Sequence, residues 1–124
     1  MVEIKNCPIE TTLQFIGKKW SFEIVRDMFL GKKRFNEFLE TNPNLSSKVL
    51  SQRLKELKKT GIIVKKVDDT FPVSIEYNLT EKGKKLNRVI YELALFSLNT
   101  CPEYDEEYAK KSIKFLKENL NIED

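Results

Sequence analysis

The sequence predicts an α+β fold that is mostly helical, with one short β-hairpin set among the helices. Its 124 residues are 40% hydrophobic and 33% charged, which is typical of one globular core. Apolar residues recur at helical spacing through most of the chain, whereas residues 62–67 form a β-branched run and residues 73–79 alternate at every second position. The whole chain, residues 1–124, is therefore expected to form a single domain.

Three helices are predicted in the first third of the chain. Pro8 fits the first position of a helix over residues 8–16, and a second helix spans residues 19–30. Asn36 is a suitable N-cap for a third, shorter helix that ends at residue 41, before an Asn-Pro-Asn turn. Helix ends are also expected at three glycines, which take positive φ readily just after a helix: Gly17, Gly31 and Gly61.

A fourth helix is predicted over residues 46–60, with Ser46 as its N-cap. Leu50, Leu54 and Leu57 form an apolar stripe along one side of it. At 100° per residue, the opposite side carries polar and cationic residues: Lys48, Gln52, Lys55 and Lys59. The helix therefore has an apolar back and a cationic front.

Positive charge is concentrated in the N-terminal half of the chain. Residues 1–67 carry a net charge of +7 and residues 68–124 a net charge of −4. Residues 46–66 alone hold seven cations against the single carboxylate of Glu56. Such a density is typical of a surface that meets phosphates, although a charge run by itself also fits a solvated helix face.

The C-terminal part, residues 81–124, is predicted to mediate dimerisation. Thr80 is the expected N-cap of a helix that runs to about residue 99, and a last helix spans residues 105–119. The first of these helices is apolar on nearly every side, which is more than one small core covers. A second copy of the chain is expected to bury its surplus, and the expected interface residues are Leu86, Val89, Ile90, Leu93 and Phe96.

The order of these elements matches a winged helix-turn-helix within residues 6–80, since two helices joined by a tight turn are followed at once by a hairpin. That fold places the second helix, residues 46–60, in a major groove of double-stranded DNA. Polar side chains near its start are expected to meet bases, and later cations are expected to meet phosphates. The predicted DNA-binding residues are Ser46, Ser47, Lys48, Ser51, Gln52, Arg53, Lys55, Lys59 and Arg34.

Five short motifs resemble the HxlR family of bacterial winged helix regulators over about residues 6–96. They are CPIE from Cys7, GKKW from Gly17, RFNE from Arg34, LSSKVLSQRLKEL from Leu45 and EYNLTEKG from Glu76. The resemblance implies a homodimeric transcriptional regulator that occupies a palindromic operator. In some members the N-terminal cysteine senses electrophiles or oxidants, so the resemblance also implies an oxidant or small-molecule effector.

The hairpin departs from that family pattern. Ser74 stands where the family usually has an arginine or lysine, and the tip carries Asp68 and Asp69. Because phosphates repel an acidic tip, we expect the fourth helix rather than the hairpin to carry the DNA contact.

Cys7 is the candidate sensor. Before Pro8 it is the predicted N-cap of the first helix, where the positive end of the helix dipole favours a thiolate, and Lys5 is close in sequence. A buried, inert cysteine fits the same position equally well on physical grounds. The family resemblance favours the sensor.

Several function classes are disfavoured by composition. The chain has no histidine, and its two cysteines are 94 positions apart. We therefore expect no metal, no cofactor and no enzymatic activity, since no base or oxyanion site accompanies any nucleophile. The N-terminus lacks an export signal and the longest uncharged stretch has ten residues, so the expected location is the cytoplasm, without a membrane span. The alternative function is a protein-protein interaction module that does not bind DNA, for which an apolar or acidic fourth helix would be typical.

Overall fold

A computed structural model describes residues 7–123. These residues form seven helices and one antiparallel pair of strands. The elements are α1 (Pro8–Ile16), α2 (Ser21–Phe29), α3 (Phe35–Thr41), α4 (Ser47–Lys59), β1 (Ile63–Asp68), β2 (Ser74–Leu79), α5 (Glu81–Lys84), α6 (Asn87–Thr100) and α7 (Glu106–Asn119). The predicted mostly helical α+β fold with a winged helix-turn-helix is confirmed.

The core lies where α2, α3 and α4 meet. Ile24, Val25 and Phe38 are completely buried there, and α4 adds the predicted stripe of Leu50, Leu54 and Leu57. Burying each of these side chains contributes about 1.5 to 3 kcal/mol relative to leaving it exposed. This apolar stripe fixes the orientation of α4, so that the opposite side of the helix faces solvent.

The ends of the first three helices differ from the prediction in three places. Gly17 keeps a helical φ of −79°, so the expectation of positive φ there is wrong. The left-handed residue is Trp20, with φ 80°, and α2 begins after it. The N-cap position of α3 is Arg34 rather than Asn36, because the Glu37 carboxylate accepts hydrogen bonds from the backbone N–H groups of Lys33 and Arg34 at 3.1 and 3.0 Å.

The predicted positive φ is confirmed at Gly31 and Gly61, with values of 95° and 81°. Gly61 ends the turn after α4 and leads directly into β1. The two strands pair in register from Ile63 opposite Leu79 to Asp68 opposite Ser74. This hairpin is the wing, and it begins only a few residues from the end of α4.

The predicted helix over residues 80–99 is two helices. Thr80 does cap the first, since its hydroxyl accepts from the Gly83 N–H at 3.0 Å and donates to the Gly61 carbonyl. Gly83 packs so closely on the Ile62 carbonyl that a Cβ atom would overlap it. These contacts fix the short helix α5 against the start of β1. The chain then turns through the Leu86 N–H bond to the Gly83 carbonyl, three residues back, before α6 begins.

The five predicted dimer-interface residues fall into a buried group and an exposed group. Leu86 and Ile90 are buried in the chain's own core, so they are not available on an exposed face, contrary to expectation. Val89, Leu93 and Phe96 are 37%, 50% and 70% exposed. Helix α7, whose N-cap is Asp105, packs beside α6.

Candidate nucleic-acid interface

The outer face of α4 is polar, exposed and continuous from its N-terminus. Ser46 caps the helix by accepting from the Val49 N–H at 3.1 Å, which satisfies one of the free N–H groups of the first turn. Beyond it the exposed residues are Ser47, Lys48, Ser51, Gln52, Lys55, Lys58 and Lys59. Hydroxyl, amide and ammonium groups of this kind can donate to base edges and to phosphate oxygens. We call these seven residues the α4 face.

The cations of the α4 face are not neutralised by carboxylates of the described residues, 7–123. The one carboxylate on the helix, Glu56, pairs with Lys18 at 3.2 Å and with Arg53 at 3.3 Å. Within residues 7–123, none of the lysines of the α4 face has an ion-pair partner. Their full charge is therefore available to an external anion.

Arg53 is placed differently from the prediction. Its side chain is only 15% exposed, and its Nε donates to the Lys19 carbonyl at 2.7 Å. The same guanidinium pairs with Glu56. Arg53 thus ties α4 to the segment between α1 and α2, and it supports the helix instead of extending from the α4 face.

Lys58 of α4 and Lys65 of β1 were not among the site residues predicted from the sequence. Lys65 lies on β1 opposite Tyr77 of β2, and together with Lys55 and Lys58 it lines a groove of about 210 Å³ between α4 and the wing. Burial raises the pKa of Tyr77 above its usual value, so its hydroxyl stays neutral and can donate. The signal in the sequence was the alternation of Ile63, Lys65 and Val67 along one strand, which places Lys65 on the side that faces α4.

The base of the wing is attached to the segment before α3. The Tyr77 N–H donates to the Lys33 carbonyl at 2.8 Å, and the Lys33 ammonium pairs with Glu76 at 3.4 Å. Arg34, a predicted DNA-binding residue, is exposed beside them, and its Nη1 donates to the Ile75 carbonyl at 3.4 Å. The Glu37 carboxylate accepts hydrogen bonds from the backbone N–H groups of Lys33 and Arg34, and these bonds lower the pKa of Glu37. Arg34 is therefore held next to the wing and not next to the α4 face.

The tip of the wing is acidic, and the Asp68 carboxylate is hydrogen-bonded within the tip itself. The Asp68 carboxylate accepts from the Thr70 N–H at 3.0 Å and from its hydroxyl at 2.6 Å. These two hydrogen bonds lower the pKa of Asp68 below its usual range. Asp69 is exposed beside it. Two negative charges thus stand at the tip, where an approaching DNA backbone would meet them.

A buried polar network fixes the turn before α4. Asp27, which is fully buried, accepts from Arg26 at 2.8 Å and from the Asn42 amide at 2.7 Å. Arg26 also donates to the Asn42 side-chain oxygen at 3.0 Å. The Asn42 carbonyl in turn accepts from the Leu45 N–H at 2.9 Å, one residue before the cap of α4. The start of α4 is therefore anchored to α2.

Cys7 occupies the predicted N-cap position of α1, where it is half-buried and its side chain makes no capping hydrogen bond. Lys5, the cation expected near it, lies outside the described residues. Cys101 is also half-buried and reduced, at the end of α6. Within residues 7–123, no cluster of three or more acidic or cysteine side chains is arranged to hold a metal ion. In the same range, no helix is both long and apolar enough to cross a bilayer.

Comparison with known proteins confirms the family resemblance. A family model described as HxlR-like helix-turn-helix matches residues 15–105. YdeP of Bacillus subtilis (strain 168), named an uncharacterized HTH-type transcriptional regulator, is 40% identical over 91 residues, which are 73% of this chain and 71% of YdeP. The HTH-type transcriptional regulator YodB of the same organism is 38% identical over 100 residues, or 80% of this chain and 89% of YodB.

Comparison with solved structures also identifies a regulator. The redox regulator HypR in its reduced form matches with a TM-score of 0.72 at 35% identity, covering 77% of this chain and 94% of HypR. The chain belongs to the HxlR-like helix-turn-helix family, and it is a transcriptional regulator of the helix-turn-helix type.

Proposed function

We propose that the chain binds an operator as a homodimer and controls transcription there, with α4 in the major groove. The observation that carries this proposal is the α4 face, a row of exposed donors whose cations lack partners within the described part of the chain. An interaction module without DNA binding would instead present an apolar or acidic helix. Because DNA is the target, the proposed place of action is the cytoplasm.

The proposed DNA-binding residues divide by their position relative to α4. Ser46, Ser47, Lys48, Ser51 and Gln52 lie near the N-terminal end, which enters the groove most deeply, and they read bases. Lys55 and Lys59 lie farther along and meet phosphates. Arg34 contacts the backbone from beside the wing, whereas Arg53 acts through its support of α4.

A salt titration of DNA affinity tests this proposal. The probes are a duplex carrying the DNA upstream of the protein's own gene and an unrelated duplex of equal length. We expect the upstream duplex to bind about 10³-fold or more tightly, with log affinity falling linearly with log salt for both. Equal affinities would limit the chain to non-specific binding, and binding to neither duplex would favour the interaction module.

Homodimerisation is proposed from the exposed side of α6. Val89, Leu93 and Phe96 form an apolar strip at helical spacing that is exposed in the described part of the chain, and such a strip is typical of an interface between copies. Sedimentation at micromolar concentration should show a species of about 29 kDa, twice the 14.6 kDa of one chain.

A matched pair of variants locates that interface. Phe96→Glu should shift the protein to the monomer, because it places a charge in the strip. Phe71→Glu, at the tip of the wing where the ring is 98% exposed, should leave the dimer intact. A dimer that persists in Phe96→Glu would exclude this side of α6.

A redox or electrophile response through Cys7 is part of the proposal. HypR is a redox regulator that has been solved in reduced and oxidised forms, and Cys7 stands at the N-cap of α1. Treatment with iodoacetamide should modify Cys7 and change operator affinity in the wild type and in Cys101→Ser, but not in Cys7→Ser. Unchanged affinity after complete modification of Cys7 would make it a packing residue.

A further inference from the structure

A cavity of about 770 Å³ lies between α2, α6 and α7. Its walls are largely apolar and aromatic, with Leu98 from α6 and Tyr108 and Phe115 from α7. Tyr104 stacks on Tyr108, with ring centroids 5.4 Å apart and planes 15° from parallel. Both aromatic side chains of α7 are half-exposed, at 53% for Tyr108 and 52% for Phe115. The cavity is therefore open and offers flat ring surfaces.

Arg26 supplies the charge of this cavity. Its Nε and Nη2 donate to the Asp27 carboxylate at 3.0 and 2.8 Å, and Nη2 also reaches Asn42. No hydrogen bond within residues 7–123 uses Nη1, and the side chain is 37% exposed. The guanidinium thus has one side in a buried network and a second nitrogen without a hydrogen bond in this range, and Arg26 is one of the residues that line the cavity.

The lining selects for an anion that carries an aromatic ring. None of the lining residues is a carboxylate, and the other cation, Lys111, pairs with Glu107 at 3.1 Å. Ser97 and Ser112 add hydroxyls to an otherwise apolar wall. We propose that this cavity binds an aromatic carboxylate of one or two rings, with the carboxylate on Arg26 Nη1 and the ring against Tyr108 and Phe115.

The same arginine connects the cavity to the start of α4. Arg26 donates to Asn42, and the Asn42 carbonyl holds the Leu45 N–H just before the Ser46 cap. A carboxylate that draws the guanidinium toward the cavity weakens its bond to Asn42 and loosens the turn before α4. The ligand therefore lowers operator affinity. This coupling rests on the proposed DNA-binding function, whereas the binding of the ligand does not.

Calorimetry without DNA tests the site itself, using 2-naphthoate as the probe and 2-naphthamide as its neutral counterpart. We expect the carboxylate to bind at least about tenfold more tightly than the amide, because only the carboxylate forms a charge-assisted bond with Arg26. Ser112→Phe, which places a ring inside the cavity, and Tyr108→Ala, which removes one of its aromatic walls, should both lose this binding. Lys114→Ala, on the exposed side of α7, should bind as the wild type does.

Equal binding of acid and amide, undiminished binding by folded Ser112→Phe, or absence of naphthoate binding would each overturn the site. The coupling is then measured as operator affinity with and without saturating naphthoate. We expect the wild type to lose about fivefold or more and Ser112→Phe to lose nothing. Naphthoate binding without any change in operator affinity would overturn the coupling alone, and a wild type that binds no DNA in the absence of naphthoate would overturn the proposed function instead.

Discussion

Helix α4 and the tip of the wing are both exposed and both charged, but they are supported in opposite ways. The α4 face carries cations without partners within residues 7–123, and the helix is anchored from behind by contacts to distant residues, Arg53 to Lys19 and Asn42 to Asp27. The tip carries carboxylates, and Asp68 is satisfied by Thr70, two residues away. A rigid helix with free positive charge is suited to hold DNA in one register, whereas a locally satisfied acidic turn is not.

The largest expected effect is on the support of α4. Asp27→Ala should lower the free energy of unfolding by about 3 to 5 kcal/mol, because it removes the fully buried carboxylate that accepts from both Arg26 and the Asn42 amide. Urea denaturation measures this loss. Glu40→Ala, an exposed carboxylate on α3, is the matched control and should stay within about 0.5 kcal/mol of the wild type. A similar small loss in Asp27→Ala would mean that the network does not hold the turn.

The next effect is on sequence recognition. Lys48→Ala and Gln52→Ala should each weaken binding to the upstream duplex by about 1 to 3 kcal/mol and leave binding to unrelated DNA nearly unchanged. Competition binding with both duplexes measures the difference. Losses that are equal on both duplexes would assign these two side chains to phosphates.

A smaller, uniform effect is expected from the far end of the helix. Lys59→Ala should weaken all duplexes alike and lower the slope of log affinity against log salt by about one. Lys110→Ala is the control, since Lys110 is an exposed lysine on α7 that pairs with Glu106 at 3.3 Å. An unchanged slope in Lys59→Ala would place the end of α4 outside the DNA contact.

The wing tip is expected to contribute least. Asp68→Ala combined with Asp69→Ala should leave operator affinity unchanged or raise it, because the change removes negative charge. The lowered Asp68 pKa means that its bonds to Thr70 are present above the ordinary aspartate pKa of 3.8 and are lost only as pH falls through the lower folded value. The Thr70 amide resonance should therefore stay constant between about pH 5 and 8. A loss of affinity in the double variant would contradict the assigned order of the two regions.

The features that could be predicted from the sequence are local ones. Leu50, Leu54 and Leu57 fix which side of α4 is buried, so the exposure of Lys48 and Gln52 follows from helical geometry alone. The low exposure of Arg53 and its role in supporting α4 do not follow from helical geometry, because its partner is a backbone carbonyl 34 residues away in sequence. For the same reason, the network of Arg26, Asp27 and Asn42 could not be predicted from the sequence. Its members come together only when α2 packs on α3.

The C-terminal helices show the same limit. Thr80 is readable from the sequence as a helix N-cap, and the cap is present. The break before α6 depends on where Gly61 and Ile62 lie in space, so periodicity alone gave one helix instead of two. Leu86 at this break and Ile90 within α6 are both buried in the core, so two of the five expected interface residues are not exposed.

Photo-crosslinking compares the α4 face and the wing tip most directly. A benzophenone side chain is introduced at the position of Gln52 or, in a separate protein, of Asp69, and each protein is irradiated with the labelled upstream duplex. We expect an efficient crosslink from position 52 that excess unlabelled upstream duplex abolishes and unrelated duplex does not, with little or no crosslink from position 69. A specific crosslink from position 69 and none from position 52 would contradict the claim that α4 is the element that reads DNA.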